Sequence, residues 1–199
     1  MSKTFSYRLG SWLKSSGAKN LEDLDKIFGE KSFALAFLLL MSPAALPLPT
    51  GGITHIFEVI TVLIALELVI GRRSIWLPKR WKKISLGPLA QRKVMPFIIN
   101  RIQWFEKFSR PRLKNLTDHP FYRSALGVVI IVLTAFAFFA PPFSGLDTLP
   151  ALGVLVISLS ILLEDIVLMI VGLIIGALGV SLILSLGAII TNLISGLLT

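Results

Sequence analysis

The chain has 199 residues, 54% of them hydrophobic, with a formal net charge of +9 and a mean hydropathy of +0.81. An ordinary soluble domain is about 45–50% apolar, so this composition argues against one. With no cysteine and only two histidines, His55 and His119, disulfides, thiolate zinc sites and a cysteine nucleophile are excluded. Neither a metal site nor a cofactor is expected.

Charge is segregated along the chain. All 20 Lys and Arg lie at or before Arg123, and beyond it only Asp147, Glu164 and Asp165 carry ionisable side chains. A surface without charges belongs in lipid, so the second half is expected to be membrane-embedded.

Residues 1–32 are polar and mixed in charge. They hold no compact apolar core of signal-peptide length, so this region is expected to be retained in the mature protein. Within "NLEDLDKIFGEK", Asn20 reads as an N-cap, followed by Glu22, Asp23 and Asp25 where a helix dipole favours acids. Leu21, Leu24, Ile27 and Phe28 form a helical stripe. The reading is a short amphipathic helix on the membrane or against other protein.

Residues 33–49, "FALAFLLLMSPAALPLP", are apolar and slightly short of a roughly 30 Å hydrocarbon core. Pro43, Pro47 and Pro49 end regular helix there. With Gly51 and Gly52 they make a helix break. Residues 53–70 form a second apolar block whose interior holds His55, Glu58 and Glu67.

Residues 71–123 change character, with 14 Lys and Arg against Glu106 and Asp118. A basic stretch interleaved with aromatics is also what a nucleic-acid binder shows. Between apolar segments it reads instead as a cytoplasmic loop on anionic lipid, and no nucleic-acid partner is expected. Arg72, Arg73, Trp76, Lys79, Arg80, Trp81 and Trp104 are the candidate headgroup contacts. In "FIINRIQWFEKF", Ile98, Ile99, Ile102, Phe105 and Phe108 mark one face of an interfacial helix.

Residues 124–140 and 146–163 form a second apolar pair, broken by "APPFSGLD" with Pro141, Pro142 and Gly145, and Pro150 beyond. The tail from Ile166 exceeds one span, so it is one long helix or a hairpin of two. Gly172, Gly176 and Gly179 give it a small-residue face for a close helix partner.

The two apolar pairs resemble each other. Each has a proline pair, then glycine and threonine, then an apolar helix ending near an acid, Glu67 or Glu164. Repeated, interrupted hydrophobic segments are a pointer to transporter-like architecture. The expected fold is all-α: a polytopic membrane protein with two repeated broken or re-entrant helical hairpins plus a long C-terminal hydrophobic helix or hairpin, four to six embedded helices in all. It forms a single membrane domain, divided as 1–32, 33–70, 71–123, 124–165 and 166–199. The basic N-terminal region and central loop are expected on the cytoplasmic side of the membrane.

A charged side chain deep in the bilayer is costly, so its default reading is functional. Glu67 is close enough to Arg72 and Arg73 to be structural. Glu164 and Asp165 end their segment and read as interfacial. Glu58 lies about 9 Å past Gly52 along the helix. His55 is on the same face, with Thr54 and Thr61 as neighbours. A His and a Glu one turn apart can share a proton. They form a candidate coupling pair, or else a hydrogen bond that locks helix packing. Asp147 and Thr148 occupy the matching place in the second pair and join the candidate coupling or substrate site, at a helix N-terminus whose free N–H groups favour anions; alternatively the aspartate simply caps the helix.

Taken together, "GEKSFALAFLLLMSPAALPLPTG", "GRRSIWLPKRW", "SRPRL" and "APPFSGLDTLPALGVLVISLSILLEDIVLMIVG" resemble the ExoD exopolysaccharide-synthesis family over about residues 20–185. The family often has Asn at the place of Asp147, and Arg-Asp-Gly where this chain has Glu164, Asp165 and Ile166. The resemblance implies an inner-membrane protein connected with exopolysaccharide production or export. No catalytic triad, P-loop or glycosyltransferase-like acidic cluster is present, so no enzyme activity is expected. The two readings are a small transporter and a membrane scaffold that recruits polysaccharide machinery. The expected partners are membrane lipids, that machinery or a second copy of the chain.

Overall fold

A computed structural model describes residues 4–16, 28–29, 31–46, 53–76, 92, 95–109, 120–141 and 144–198. The described residues form an all-α fold of seven helices. These are α1 (Phe5–Lys14), α2 (Lys31–Met41), α3 (Ile53–Val69), α4 (Met95–Glu106), α5 (Pro120–Phe139), α6 (Thr148–Leu163) and α7 (Ile166–Leu198). Among the described residues, two stretches are long and apolar enough to cross a membrane, Phe121–Phe139 and Ile166–Ile190, while α2 and α6 are shorter apolar helices.

Helix α3 runs antiparallel to α5. The Ser124 hydroxyl donates to the Val69 carbonyl at one end, and at the other the His55 and Phe138 rings are 4.9 Å apart. Helices α6 and α7 form a hairpin joined only by Glu164 and Asp165. The tail is therefore one 33-residue helix, about 50 Å long, and the two-helix alternative falls away. Its glycine face does seat a partner, and that partner is α6. A Cβ on Gly153 would lie 2.6 Å from Gly176 Cα, and one on Gly179 would lie 2.5 Å from Pro150 Cδ. Without side chains between them the two backbones touch, which is how helices gain dispersion contact where no hydrophobic drive exists.

The core has two parts. Phe33, Phe37 and Met41 of α2 pack with Ala65, Ile130, Val154 and Ile157 from α3, α5 and α6. Phe5, Leu9 and Trp12 of α1 pack with Ile98, Ile99 and Ile102 of α4 against Leu35, Leu38 and Leu162. Helices α2 and α6 belong to both. The α4 stripe is thus largely taken by protein rather than lipid, because α1 lies across it. Glu106 fixes that pairing by accepting from the Ser6 N–H at 2.9 Å and from the Ser6 hydroxyl. Trp104 and Phe108 remain exposed.

Helix α1 was not expected from the polar N-terminus. Its signal is Phe5, Leu9 and Trp12 at i, i+4 and i+7, all buried. Of the expected stripe, Leu21, Leu24 and Ile27 lie outside the described residues, while Phe28 is buried with its ring 5.1 Å from that of Phe5.

The α6–α7 turn forms the basic end of the bundle. Glu164 is left-handed (φ 56°, ψ 37°) and pairs with Lys31 at 2.7 Å, while Lys31 also donates to the Leu162 carbonyl at 3.1 Å. Asp165 accepts from the Val167 N–H at 2.9 Å, satisfying a free donor of the α7 N-terminus. Both acids thus serve helix ends. A left-handed residue other than glycine costs about 1–2 kcal/mol. Glu164→Gly removes that cost and loses an ion pair whose side chains are 28% and 20% exposed, so its melting temperature should stay close to wild type. Glu164→Val, β-branched at positive φ, should melt about 3–8 °C lower in detergent. Equal melting of the two variants would show that backbone conformation does not matter here.

Candidate functional site

At the other end of the bundle the α3 N-terminus, the α5 C-terminus and the start of α6 come together. Nearly all of Glu58 is covered: the residue is 1% exposed. One hydrogen bond of 2.7 Å joins its Oε2 to His55 Nδ1, while its Oε1 has no hydrogen-bond partner. The His55 side chain is 32% exposed, so it stands between the buried carboxyl and the outside. The expected pairing of His55 and Glu58 is present in the structure.

Thr54 and Thr61 lie beside Glu58 on α3, both buried. The Thr61 hydroxyl donates to the Phe57 carbonyl at 2.8 Å. A hydroxyl one turn along a helix back-bonds readily, and that option wins here. Asp147 holds the position before α6 without a side-chain cap, which corrects the capping role expected for it. Its backbone is helical (φ −64°, ψ −26°), whereas a capping side chain needs the extended conformation. The carboxylate is instead near enough to Glu58 to act on it electrostatically. Thr148 is the first residue of α6.

The breaks are partly visible. Pro47, Pro49, Gly51, Gly52 and Pro142 lie outside the described residues. Pro141 follows the end of α5, and Gly145 (φ +70°) turns the chain toward α6. Pro150 is not a break. It sits in the first turn of α6, where a missing N–H costs nothing because that donor has no partner in any helix.

Helices α3 and α5 leave a recess of about 220 Å³ between them, lined by Val59, Val62 and Leu63 on one side and Ala135, Phe138 and Phe139 on the other. Among the described residues, Glu58 is the only ionisable one lining it. Sequence reasoning missed Thr134, one residue from Ala135. It is fully buried and its hydroxyl has no partner, although Thr61, Ser158 and Ser160 all donate to a carbonyl within their own helices. A lone threonine in an apolar helix offers no signal of that kind.

Of the expected headgroup contacts, Trp76 and Trp104 are exposed, and Arg72 lies 4.0 Å from Glu67. Glu67 also accepts from the Trp76 N–H at 2.5 Å, the structural part expected of it. Arg73 lies in the same described segment. Lys79, Arg80 and Trp81 lie outside the described residues. No cluster of three metal-ligating side chains occurs among the described residues.

Comparison with known proteins places these features in a family. The profile described as "Exopolysaccharide synthesis, ExoD" matches residues 11–185. An uncharacterized protein of Synechocystis sp. (strain ATCC 27184 / PCC 6803 / Kazusa) is 26% identical over 146 residues, 73% of this chain and 68% of that protein. Protein ExoD of Rhizobium meliloti (strain 1021) is 31% identical over 151 residues, which is 73% of this chain and 60% of the Rhizobium protein, less than two thirds of its length. No solved structure matches.

Proposed function

The chain belongs to the ExoD exopolysaccharide-synthesis family, and from that membership we propose that it acts in exopolysaccharide synthesis or export as a small transporter of the bacterial inner membrane. The observation that carries this reading is Glu58. It is a carboxyl buried among apolar helices, held by one histidine, with its second oxygen unpartnered. Intramembrane ionisable groups are expensive to keep, and packing alone gives no reason to keep this one.

In this reading the protein is multi-pass, with the N-terminal region and the basic loop in the cytoplasm. Arg72, Arg73, Trp76 and Trp104 then meet lipid headgroups. Helices α2–α3 and α5–α6 act as two copies of a broken hairpin, and the α3 N-terminus and the α6 N-terminus meet at the end where His55, Glu58 and Asp147 gather. His55 and Glu58 relay a proton, coupled to movement of a substrate. No catalytic step is assigned.

Liposomes containing purified protein and an entrapped pH dye test the proposal. Wild type should conduct protons when substrate-bearing extract is supplied. Glu58→Gln should fall to the rate of protein-free liposomes and should fail to restore polysaccharide in a deletion strain. Full restoration by Glu58→Gln, combined with failure of a charge reversal at Arg72, Arg73, Lys79 and Arg80, would instead establish the scaffold reading.

A further inference from the structure

Three points set the register of α3 against α5. The Ser124 hydroxyl bonds the Val69 carbonyl, a Cβ on Gly127 would lie 3.0 Å from the Ala65 carbonyl oxygen, and the His55 and Phe138 rings are 4.9 Å apart. Glu58 lies seven residues before Ala65, and Thr134 lies seven residues after Gly127. Seven residues are close to two helical turns, so each returns to the side that faces the partner helix. In an antiparallel pair the two steps run in the same direction in space. Glu58 and Thr134 therefore arrive at one level of the seam. Both are turned into the core there, at 1% and 0% exposed.

Each of the two carries a buried oxygen without a hydrogen-bond partner, Glu58 Oε1 and Thr134 Oγ1. They are complementary. The carboxyl oxygen offers lone pairs, and the hydroxyl has a proton that it does not spend on its own helix, as Thr61 and Ser158 do. Leaving both unpaired in a dry core is costly. Since they do not bond each other, what joins them is longer than one hydrogen bond. A single water spans about 4.5–5.5 Å between two oxygens. It can accept from the threonine and donate to the carboxyl, and two polar partners are enough to hold a water in a protein interior. The enclosure of both oxygens keeps such a water in and keeps lipid out.

We infer that one buried water bridges Glu58 Oε1 to Thr134 Oγ1, tying α3 to α5 and making Thr134 the positioning residue of the Glu58 carboxyl. His55 holds one carboxyl oxygen from the outer side, at 2.7 Å, and the water holds the other from the core side. The carboxyl is thus fixed against rotation about its last bond, and Oε2 stays in line with His55 Nδ1. The bridge stands on the geometry of the seam. Its consequence, that proton exchange between His55 and Glu58 depends on Thr134, rests on the transport reading and deepens it.

The test is water-edited solid-state NMR of the full chain in liposomes with isotope-labelled threonine. The Thr134 signal, assigned by its loss in Thr134→Val, should draw magnetisation from water faster than that of Thr61. Thr61 is just as buried, but its hydroxyl is bonded to a carbonyl. Glu58→Leu removes one of the water's two partners and should slow Thr134 to the Thr61 rate. Should Glu58→Leu fail to fold, the comparison of the two threonines in wild type still decides. Equal transfer to both in wild type overturns the inference, and so does fast transfer to Thr134 that survives Glu58→Leu. In the pH-dye liposomes Thr134→Val, which keeps the shape without the hydroxyl, should slow proton entry about tenfold, as expected for a lost hydrogen bond to a charged group. Thr134→Ser returns the hydroxyl and should recover most of that rate. A full rate in Thr134→Val overturns the positioning role. Water transfer reads the bridge without transport, so a fast Thr134 signal in a protein that moves no protons overturns the transport reading alone.

Discussion

Gly153→Ala is expected to lower the melting temperature in detergent by about 3–10 °C, through an overpacking cost of about 1–3 kcal/mol or somewhat more. The added methyl would meet backbone: Gly176 Cα at 2.6 Å, Gly176 N at 2.9 Å and the Gly172 carbonyl at 3.1 Å. None of these can rotate away, so α7 must move bodily from α6. That shift loosens the Gly179–Pro150 and Gly172–Ile157 contacts too. Gly176→Ala is a milder test, since its methyl meets the Leu133 side chain, which can turn. Gly187→Ala meets nothing within 4 Å and should be neutral or slightly stabilising through helix propensity. Scanning fluorimetry of the three variants separates the positions. Identical melting of Gly153→Ala and wild type would mean that the two helices are not in backbone contact.

Removing His55 should be worse for stability than removing Glu58. His55→Ala leaves a nearly buried carboxyl with neither oxygen paired, a change that typically costs about 3–5 kcal/mol, or forces the carboxyl to take up a proton. Glu58→Leu deletes the expensive group itself and fills its place with hydrocarbon, so stability should hold or rise. Function should be lost in both. The double variant, His55→Ala with Glu58→Leu, should recover the melting temperature lost by the single histidine change without recovering polysaccharide production. Stability and activity moving in opposite directions at Glu58 is the signature of a residue kept for work rather than for packing. If Glu58→Leu melts several degrees below wild type and retains activity, the pair is a packing lock.

How much of this was readable in the chain depends on range. The all-α class and the presence of a close helix partner for the tail followed from local pattern, since Gly172, Gly176 and Gly179 share one helix face, but that the partner is α6 did not. The His55–Glu58 bond was readable for the same reason, as both lie on one turn. Features that depend on distant partners were not. The α4 stripe looked lipid-facing because the sequence does not say that α1 lies over it. Asp147 looked like a cap by position, but its backbone dihedrals, set by the turn through Gly145, deny it that role. The recess needs the register of α3 against α5, which no spacing within either helix contains.

If the chain is an inner-membrane protein as proposed, the two-residue turn between α6 and α7 also bears on biogenesis. Helix α6 has 16 residues, carries the buried Ser158 and Ser160, and has Gly153 bare until α7 covers it. It is about 24 Å long and poorly suited to sit in lipid alone. Because the turn leaves no slack, the ribosome delivers both helices before either has a finished neighbour. They must leave the translocon as one hairpin. No Lys or Arg follows Arg123 to orient that hairpin. Its direction is therefore inherited from the segment already inserted ahead of it, and an error at the basic loop would invert the whole C-terminal half at once.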